Sequence, residues 1–313
     1  MIDDPNRPLA GVSRRTALSG LGASALTLAL GRRGAGAKTS TPEASTSEAF
    51  QEENDVVFGE VDGVALLLDI VRPADRPAPR PAVVLIHGGF TSGGRYELTG
   101  AARGLAAAGF VAFNIDYRLY WEQKNLWPAQ LDDVQRAVRW VRANAAAYGV
   151  DPERIGALGW SSGGHFAAFL GTRDTRDNRD SALARFSSRV QCVVDMAGPM
   201  DLTIPYPSSY ENRLHAEILG GTLEAPPDPA AYRDFSPITF VDETSSPFLI
   251  FEGGFDTEVP VEHAQRMGDA LRAARVQVTY AFFPKYDHLT WGRWDSGAPE
   301  TLAFFGRYLT PEQ

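Results

Sequence analysis

Ser161 lies in Gly159-Trp160-Ser161-Ser162-Gly163, a Gly-x-Ser-x-Gly pattern that an apolar run enters and a helical run leaves. On a strand-to-helix turn of this kind the hydroxyl is lifted clear of the sheet. The flanking glycines let the backbone crowd there without a Cβ clash. The helix that starts at the turn directs its positive end toward the serine, where negative charge develops during attack on a carbonyl. The chemistry such a residue serves is acyl transfer through a covalent intermediate. Ser162 is adjacent, but only Ser161 has a glycine two residues away on both sides.

Acyl transfer also needs donors for an oxyanion, a base and an orienting acid. A second apolar run closes on His87-Gly88-Gly89-Phe90. Glycine amides carry no side chain to hold a ligand away, so the oxyanion hole is expected at the Gly89 and Ser162 N–H groups, with Gly88 or Phe90 as a third donor. Hydrolases with a Gly-x-Ser-x-Gly turn place the acid and then the histidine after later strands. Asp256 follows the apolar run 247–251 in a glycine-loosened loop, and His288 follows the run 276–283. His288 lies 32 residues after Asp256, which leaves room for one helix and one strand between them. The other four histidines fit other roles. His87 precedes the glycines and fits a prop, and His165 is one helical turn past Ser161 and packs under the elbow. His215 falls in an irregular stretch, and His263 opens a helix after Pro260. Asp201, Glu252, Glu258 and Asp287 are the fallback acids.

The elements that must position these residues show as short apolar runs alternating with amphipathic ones. Runs 56–58 and 64–71, separated by Asp62-Gly63, read as a hairpin. Runs 82–86, 110–115, 155–158, 190–194, 247–251 and 276–283 have the uninterrupted apolar character of strands buried on both faces. Helices are expected over 97–108, 128–148 and 261–274. In the second, Leu131, Val134, Val138, Val141 and Ala145 step by three and four, between Pro128 and Gly149. This alternation predicts one α/β domain at 55–313, built on a doubly wound, mostly parallel eight-stranded sheet. The stretch 201–246, rich in Pro, Ser and Tyr, breaks the rhythm and is expected to be a lid-like insertion over the strand ends.

Composition removes several other classes. With 313 residues and 44% hydrophobic content the chain buries a core unaided, and its single cysteine can form neither an internal disulfide nor a Cys-rich metal site. A formal charge of −9 disfavours nucleic acid as a partner. There is no phosphate-binding glycine loop, and Asp132-Asp133 and the acidic run 174–180 lack ligand spacing, so neither cofactor nor metal is expected. Ser13-Arg14-Arg15-Thr16, an apolar stretch at 17–30 and Ala35-Gly36-Ala37 read as an export signal of the twin-arginine kind over 1–37. A Ser/Thr/Glu-rich disordered linker follows at 38–54. Removing 1–37 takes away five arginines and two aspartates and leaves a more acidic protein. The expectation is a secreted or periplasmic chain without stable membrane association, acting on a small-molecule or carbohydrate-linked ester.

From about 83 to 309 the chain resembles the α/β-hydrolase superfamily, and within it the secreted esterase/lipase-like branch. That branch includes bifunctional acetylxylan/feruloyl esterases and hormone-sensitive-lipase-like carboxylesterases. The resemblance rests on His87-Gly88-Gly89-Phe90, Asp116-Tyr117-Arg118-Leu119, the stretches 127–133 and 148–155, Gly159 to Gly164, Gly198-Pro199-Met200-Asp201-Leu202, Asp256 to Pro260, and His288. It implies a serine esterase for short-chain, aryl or carbohydrate-linked acyl esters, with Ser161, Asp256 and His288 as its triad. Trp160 before the serine also resembles the prolyl-oligopeptidase-like branch, which keeps an amidase or peptidase open. A non-catalytic small-molecule-binding relative is the third reading.

Overall fold

The computed structural model describes residues 50–75 and 79–310. The expected export signal at 1–37 and the linker residues 38–49 lie outside the described residues. An eight-stranded sheet runs through the chain in the order β1-β2-β4-β3-β5-β6-β7-β8. Its strands are β1 (Phe50–Val61), β2 (Val64–Pro73), β3 (Arg80–Ile86), β4 (Val111–Ile115), β5 (Val150–Trp160), β6 (Cys192–Met196), β7 (Phe248–Gly253) and β8 (Val278–Phe283). Strands β4-β3-β5-β6-β7-β8 are parallel, whereas β1 pairs with β2 and β2 with β4 antiparallel.

The hairpin expected at Asp62-Gly63 forms, with φ of 51° and 77° at its two turn residues, the left-handed pair that a two-residue connection requires. Its first strand is longer than expected. Residues 50–54, assigned above to the linker, pair Phe50 with Pro73 through Glu53 with Ile70. Their side chains are mostly exposed, so no alternation of apolar residues marks them, and backbone pairing alone extends the strand.

Successive residues of the parallel strands enter opposite cores. Val84, Ile86, Ala157 and Ile250 pack with α2 (Ala129–Ala143), α4 (Ser162–Thr172) and α7 (Val261–Ala273). Val83, Leu85, Leu158 and Leu249 pack with α1 (Thr99–Ala107) and α8 (Ala298–Leu309). A strand with both faces covered needs apolar residues at every position, which is why these runs are continuous. The helix expected over 128–148 is interrupted. It ends at Asn144, whose side chain bonds back to the Trp140 carbonyl, and a short α3 (Ala145–Tyr148) completes the stretch before Gly149 turns left-handed at φ 67°. In the sixth strand the described span lies two residues later than the expected 190–194.

The stretch 201–246 is built rather than irregular. It holds α5 (Ser209–Ile218), capped by Ser208, and α6 (Pro229–Asp234), capped by Asp228, followed by a 3-10 turn at Pro237–Phe240. After β3 the chain turns to one face of the sheet, and after the neighbouring β5 it turns to the other. Departures to opposite faces open a crevice at the carboxyl ends of these two strands.

Candidate active site

Gly89, Ser161, Asp256 and His288 each follow the carboxyl end of a strand, β3, β5, β7 and β8 in turn. Ser161 joins β5 to α4 with φ 56° and ψ −125°, a conformation that is strained for any residue with a side chain. Its amide donates to the Met196 carbonyl at 2.8 Å, which locks the turn to β6. A Cβ at Gly159 would stand 2.0 Å from the Gly163 carbonyl oxygen, and one at Gly163 would stand 2.0 Å from that of Ile86. No larger residue fits either position, so the two glycines are requirements of the turn itself.

His288 opens a 3-10 turn after β8, capped by the Asp287 side chain, which accepts from the Thr290 amide. Its ring is buried, and its Nε2 lies 2.8 Å from Ser161 Oγ. Its Nδ1 lies 2.7 Å from Asp256 Oδ2. Asp256 Oδ1 accepts from the Glu258 and Val259 amides, both at 2.9 Å. The carboxylate thus engages three donors, which fix its orientation toward the ring. Trp160 donates its indole N–H to the His288 carbonyl at 3.1 Å and so ties the histidine loop to the serine turn. Nothing in the spacing of the sequence announces that bond.

Gly89, Phe90, Ser161, Ser162 and His288 line one cavity of about 170 Å³. Gly89 adopts φ 81°, and among the described residues neither its amide nor that of Ser162 has a hydrogen-bond acceptor. Gly88 does not line the cavity. Its carbonyl accepts from His87 Nδ1 at 2.7 Å. Gly88 thus stands back from the cavity that Gly89, Phe90 and Ser162 line. Ser162 spends its hydroxyl on Tyr117, whose phenol also donates to the His87 and Gly89 carbonyls and pins the glycine loop to the serine turn.

The remaining histidines are interior groups. His87 stacks on Tyr117 at 4.3 Å as a prop, and burial pushes its pKa down. His165 donates its Nδ1–H to the Pro199 carbonyl at 2.6 Å and is enclosed by Phe90, Phe166 and Phe235, with its pKa pushed down to about 3 by burial. His263 accepts from the Met200 and Asp201 amides and is lowered to about 4 for the same reason. His215 lines the cavity but is lowered to about 3. Of the fallback acids, Asp201 is bound to Arg266 at 2.7 Å and Asp287 caps its turn. Glu252 is buried and raised to about 8, and Glu258 lies at the cavity with Oε2 3.8 Å from His288 Nε2. Among the described residues no group of three or more His, Cys, Asp or Glu is placed to hold a metal ion.

A strained serine at the end of the fifth strand, on a sheet with this order and these loops, defines the α/β-hydrolase fold. Comparison with known proteins agrees and narrows it: the chain belongs to the BD-FAE family, which it matches over residues 68–271. It is 33% identical to the esterase LipC of Mycobacterium tuberculosis over 241 residues, 74% of this chain and 58% of that protein. The chain spans 57% to 64% of the length of the first three curated relatives it matches. Among solved structures, a truncated carbohydrate esterase from gut microbiota superposes with a TM-score of 0.72 at 25% identity, covering 85% of this chain and 99% of that one. Thermogutta terrifontis esterase 2 phosphonylated by sarin superposes at 0.71 and 27% identity, covering 83% and 96%.

Proposed function

We propose that the chain is a serine carboxylic-ester hydrolase that works through Ser161, His288 and Asp256. The observation that carries this reading is the unbroken hydrogen-bond relay from Ser161 Oγ to His288 Nε2 at 2.8 Å and from Nδ1 to Asp256 at 2.7 Å, beside two unengaged amides. In acylation, Ser161 Oγ attacks the ester carbonyl as its proton passes to Nε2. Asp256 holds Nδ1–H, which fixes the tautomer and stabilises the imidazolium that forms. The oxyanion is received by the Gly89 and Ser162 amides, since donors fixed by the fold need no reorganisation as the charge develops. His288 then protonates the departing alkoxide, and water repeats the sequence on the acyl-enzyme. The matches to an esterase, a carbohydrate esterase and a sarin-phosphonylated esterase support this class of reaction. The 201–246 segment supplies Tyr206, Tyr210, Glu211, Leu214 and His215 to the cavity and serves as its wall.

Hydrolysis of p-nitrophenyl butyrate and of the matching anilide, with labelling by a fluorophosphonate, tests the reading. Wild type should label and cleave the ester faster than the anilide. Ser161→Ala should lose the label and about 10⁶ in turnover while keeping its fold. Labelling that survives in Ser161→Ala, or an anilide cleaved as fast as the ester, overturns it. Export belongs to the same reading, supported by the arginine pair and apolar stretch of 13–37. Protein recovered outside the cytoplasm that still begins at Met1 overturns that part.

A further inference from the structure

The wall of the cavity beside Ser161 carries two carboxylates, Glu211 and Glu258, and among the residues that line it there is neither lysine nor arginine. Glu258 Oε2 is 3.8 Å from His288 Nε2, which in turn is 2.8 Å from Ser161 Oγ, so its charge stands one ring away from the reacting hydroxyl. Glu211 faces His215 Nε2 at 3.9 Å, but burial keeps that imidazole neutral and it offers no counter-charge. Burial and the charge of Glu258 together push the Glu211 carboxyl above its ordinary range. Arg213, the cation close by, sits over the Tyr210 ring at 5.6 Å and 3.8 Å from Glu217, and does not line the cavity. The third feature is independent of the acids. Tyr206 is only 6% exposed, its hydroxyl has no hydrogen-bond partner, and it lines the same cavity. A buried phenol with an unused oxygen costs free energy unless something arrives to bond with it.

We infer that Glu211, Glu258 and Tyr206 form a subsite for an ammonium group, so that esters carrying a protonated amine near the carbonyl are preferred to uncharged and anionic ones. The inference rests on the esterase reading above and specifies the substrate class of that site. A cation placed among these groups relieves the like-charge contact between the two glutamates, and its N–H finds an acceptor in the Tyr206 oxygen. Glu258 Oε2, 3.8 Å from the ring nitrogen that lies 2.8 Å from Ser161 Oγ, is near enough for an ammonium two carbons beyond the ester oxygen.

The test compares kcat/KM for 2-(dimethylamino)ethyl butyrate, which is cationic at pH 7, with its uncharged isostere 3-methylbutyl butyrate and with the hydroxylated, uncharged glycerol monobutyrate. Each value is divided by the ester's own rate with hydroxide. The cationic ester should be favoured over its isostere by about tenfold, the scale of a partly solvated charge contact at about 4 Å. The preference should shrink as salt is raised, because Glu258 is 55% exposed. It should fall toward one in the Glu211→Gln/Glu258→Gln protein and part of the way in Tyr206→Phe. Since the readout is a ratio within one preparation, a change in the amount of folded enzyme cannot imitate it. Equal turnover of the two isosteres overturns the inference and leaves the esterase reading standing. So does glycerol monobutyrate as the fastest ester, which would make the carboxylates acceptors for hydroxyls. A preference that persists in the double glutamine protein removes these residues from the subsite. Failure to hydrolyse any of the three esters overturns the esterase reading and this inference with it.

Discussion

Asp256 and Glu252 stand four residues apart at the end of β7, and neither side chain reaches solvent, yet their surroundings differ completely. Asp256 has a donor on each oxygen: two amides on Oδ1 and the His288 ring on Oδ2. Glu252 receives the Gly253 amide on Oε1 and has no partner on Oε2. Its neighbour across the sheet is no help. The β6–β7 register pairs Asp195 with Ile250, which puts Asp195 and Glu252 on the same face, and Asp195 Oδ2 is also without a partner. Burial and the nearby charge of Asp256 raise Glu252 to about 8, and burial raises Asp195 well above its ordinary value. Burial penalises the charged form of any carboxyl; the donors around it decide whether the charge survives. The rim of the sheet provides donors to both oxygens of its acid, and the strand below leaves one oxygen of each of its two acids without a partner.

The strongest way to break this contrast is to remove the charge at the rim. Asp256→Asn should lower kcat on p-nitrophenyl butyrate by about 10⁴, since an amide in that place favours the wrong imidazole tautomer. Glu252→Gln, at the protonated site, should stay within about tenfold of wild type. If the glutamine variant were the more damaged of the two, the orienting acid would be Glu252.

A second measurement sharpens the contrast through stability. Glu252 is protonated in the folded chain up to about pH 8 but ionises near its ordinary 4.5 when unfolded. Between those values the unfolded chain binds fewer protons than the folded one, so stability falls as pH rises, by at most about 1.4 kcal/mol per pH unit for this group. Below 4.5 the group contributes no slope. Urea unfolding at pH 5, 6, 7 and 8 should show this decline in wild type and a shallower one in Glu252→Gln. Identical slopes would mean that Glu252 is ionised in the folded protein.

How much of this was legible in the residue order depends on what each part rests on. Ser161, Asp256 and His288 could be read because strands buried on both faces announce themselves and the loops that follow them are short. The structure brings those three together. The Gly89 and Ser162 amides were legible through the bare glycine loop and the start of the helix. Gly88, the other glycine of that loop, stays off the cavity wall, and spacing alone does not distinguish it from Gly89. Residues 50–54 were assigned to a linker because an edge strand with a solvent-facing surface needs backbone partners and few apolar side chains. The acid wall of the cavity went unread for a related reason. Glu211 lies in the first turn of α5, ahead of the Leu214 and Ile218 that dock the helix on the core, and only the fold brings it to the same cavity as Glu258.

The smallest effect expected is at Asp201, the acid that a reading of chain order alone could exchange for Asp256, since it too follows a strand. Its oxygens are taken by Arg266 at 2.7 Å and by Thr203, through both the amide and the hydroxyl. The arginine is 44% exposed, so the ion pair is screened by water and salt and contributes little, about 1 kcal/mol with its hydrogen bonds included. Asp201→Asn keeps an acceptor for Thr203 and loses only the charge toward Arg266. Chemical denaturation should therefore show a loss near that size, and turnover of p-nitrophenyl butyrate should remain within about threefold of wild type. A fall in kcat approaching that of Asp256→Asn would place a second carboxylate in the relay to His288. The rim would then owe its charge to two loops instead of one.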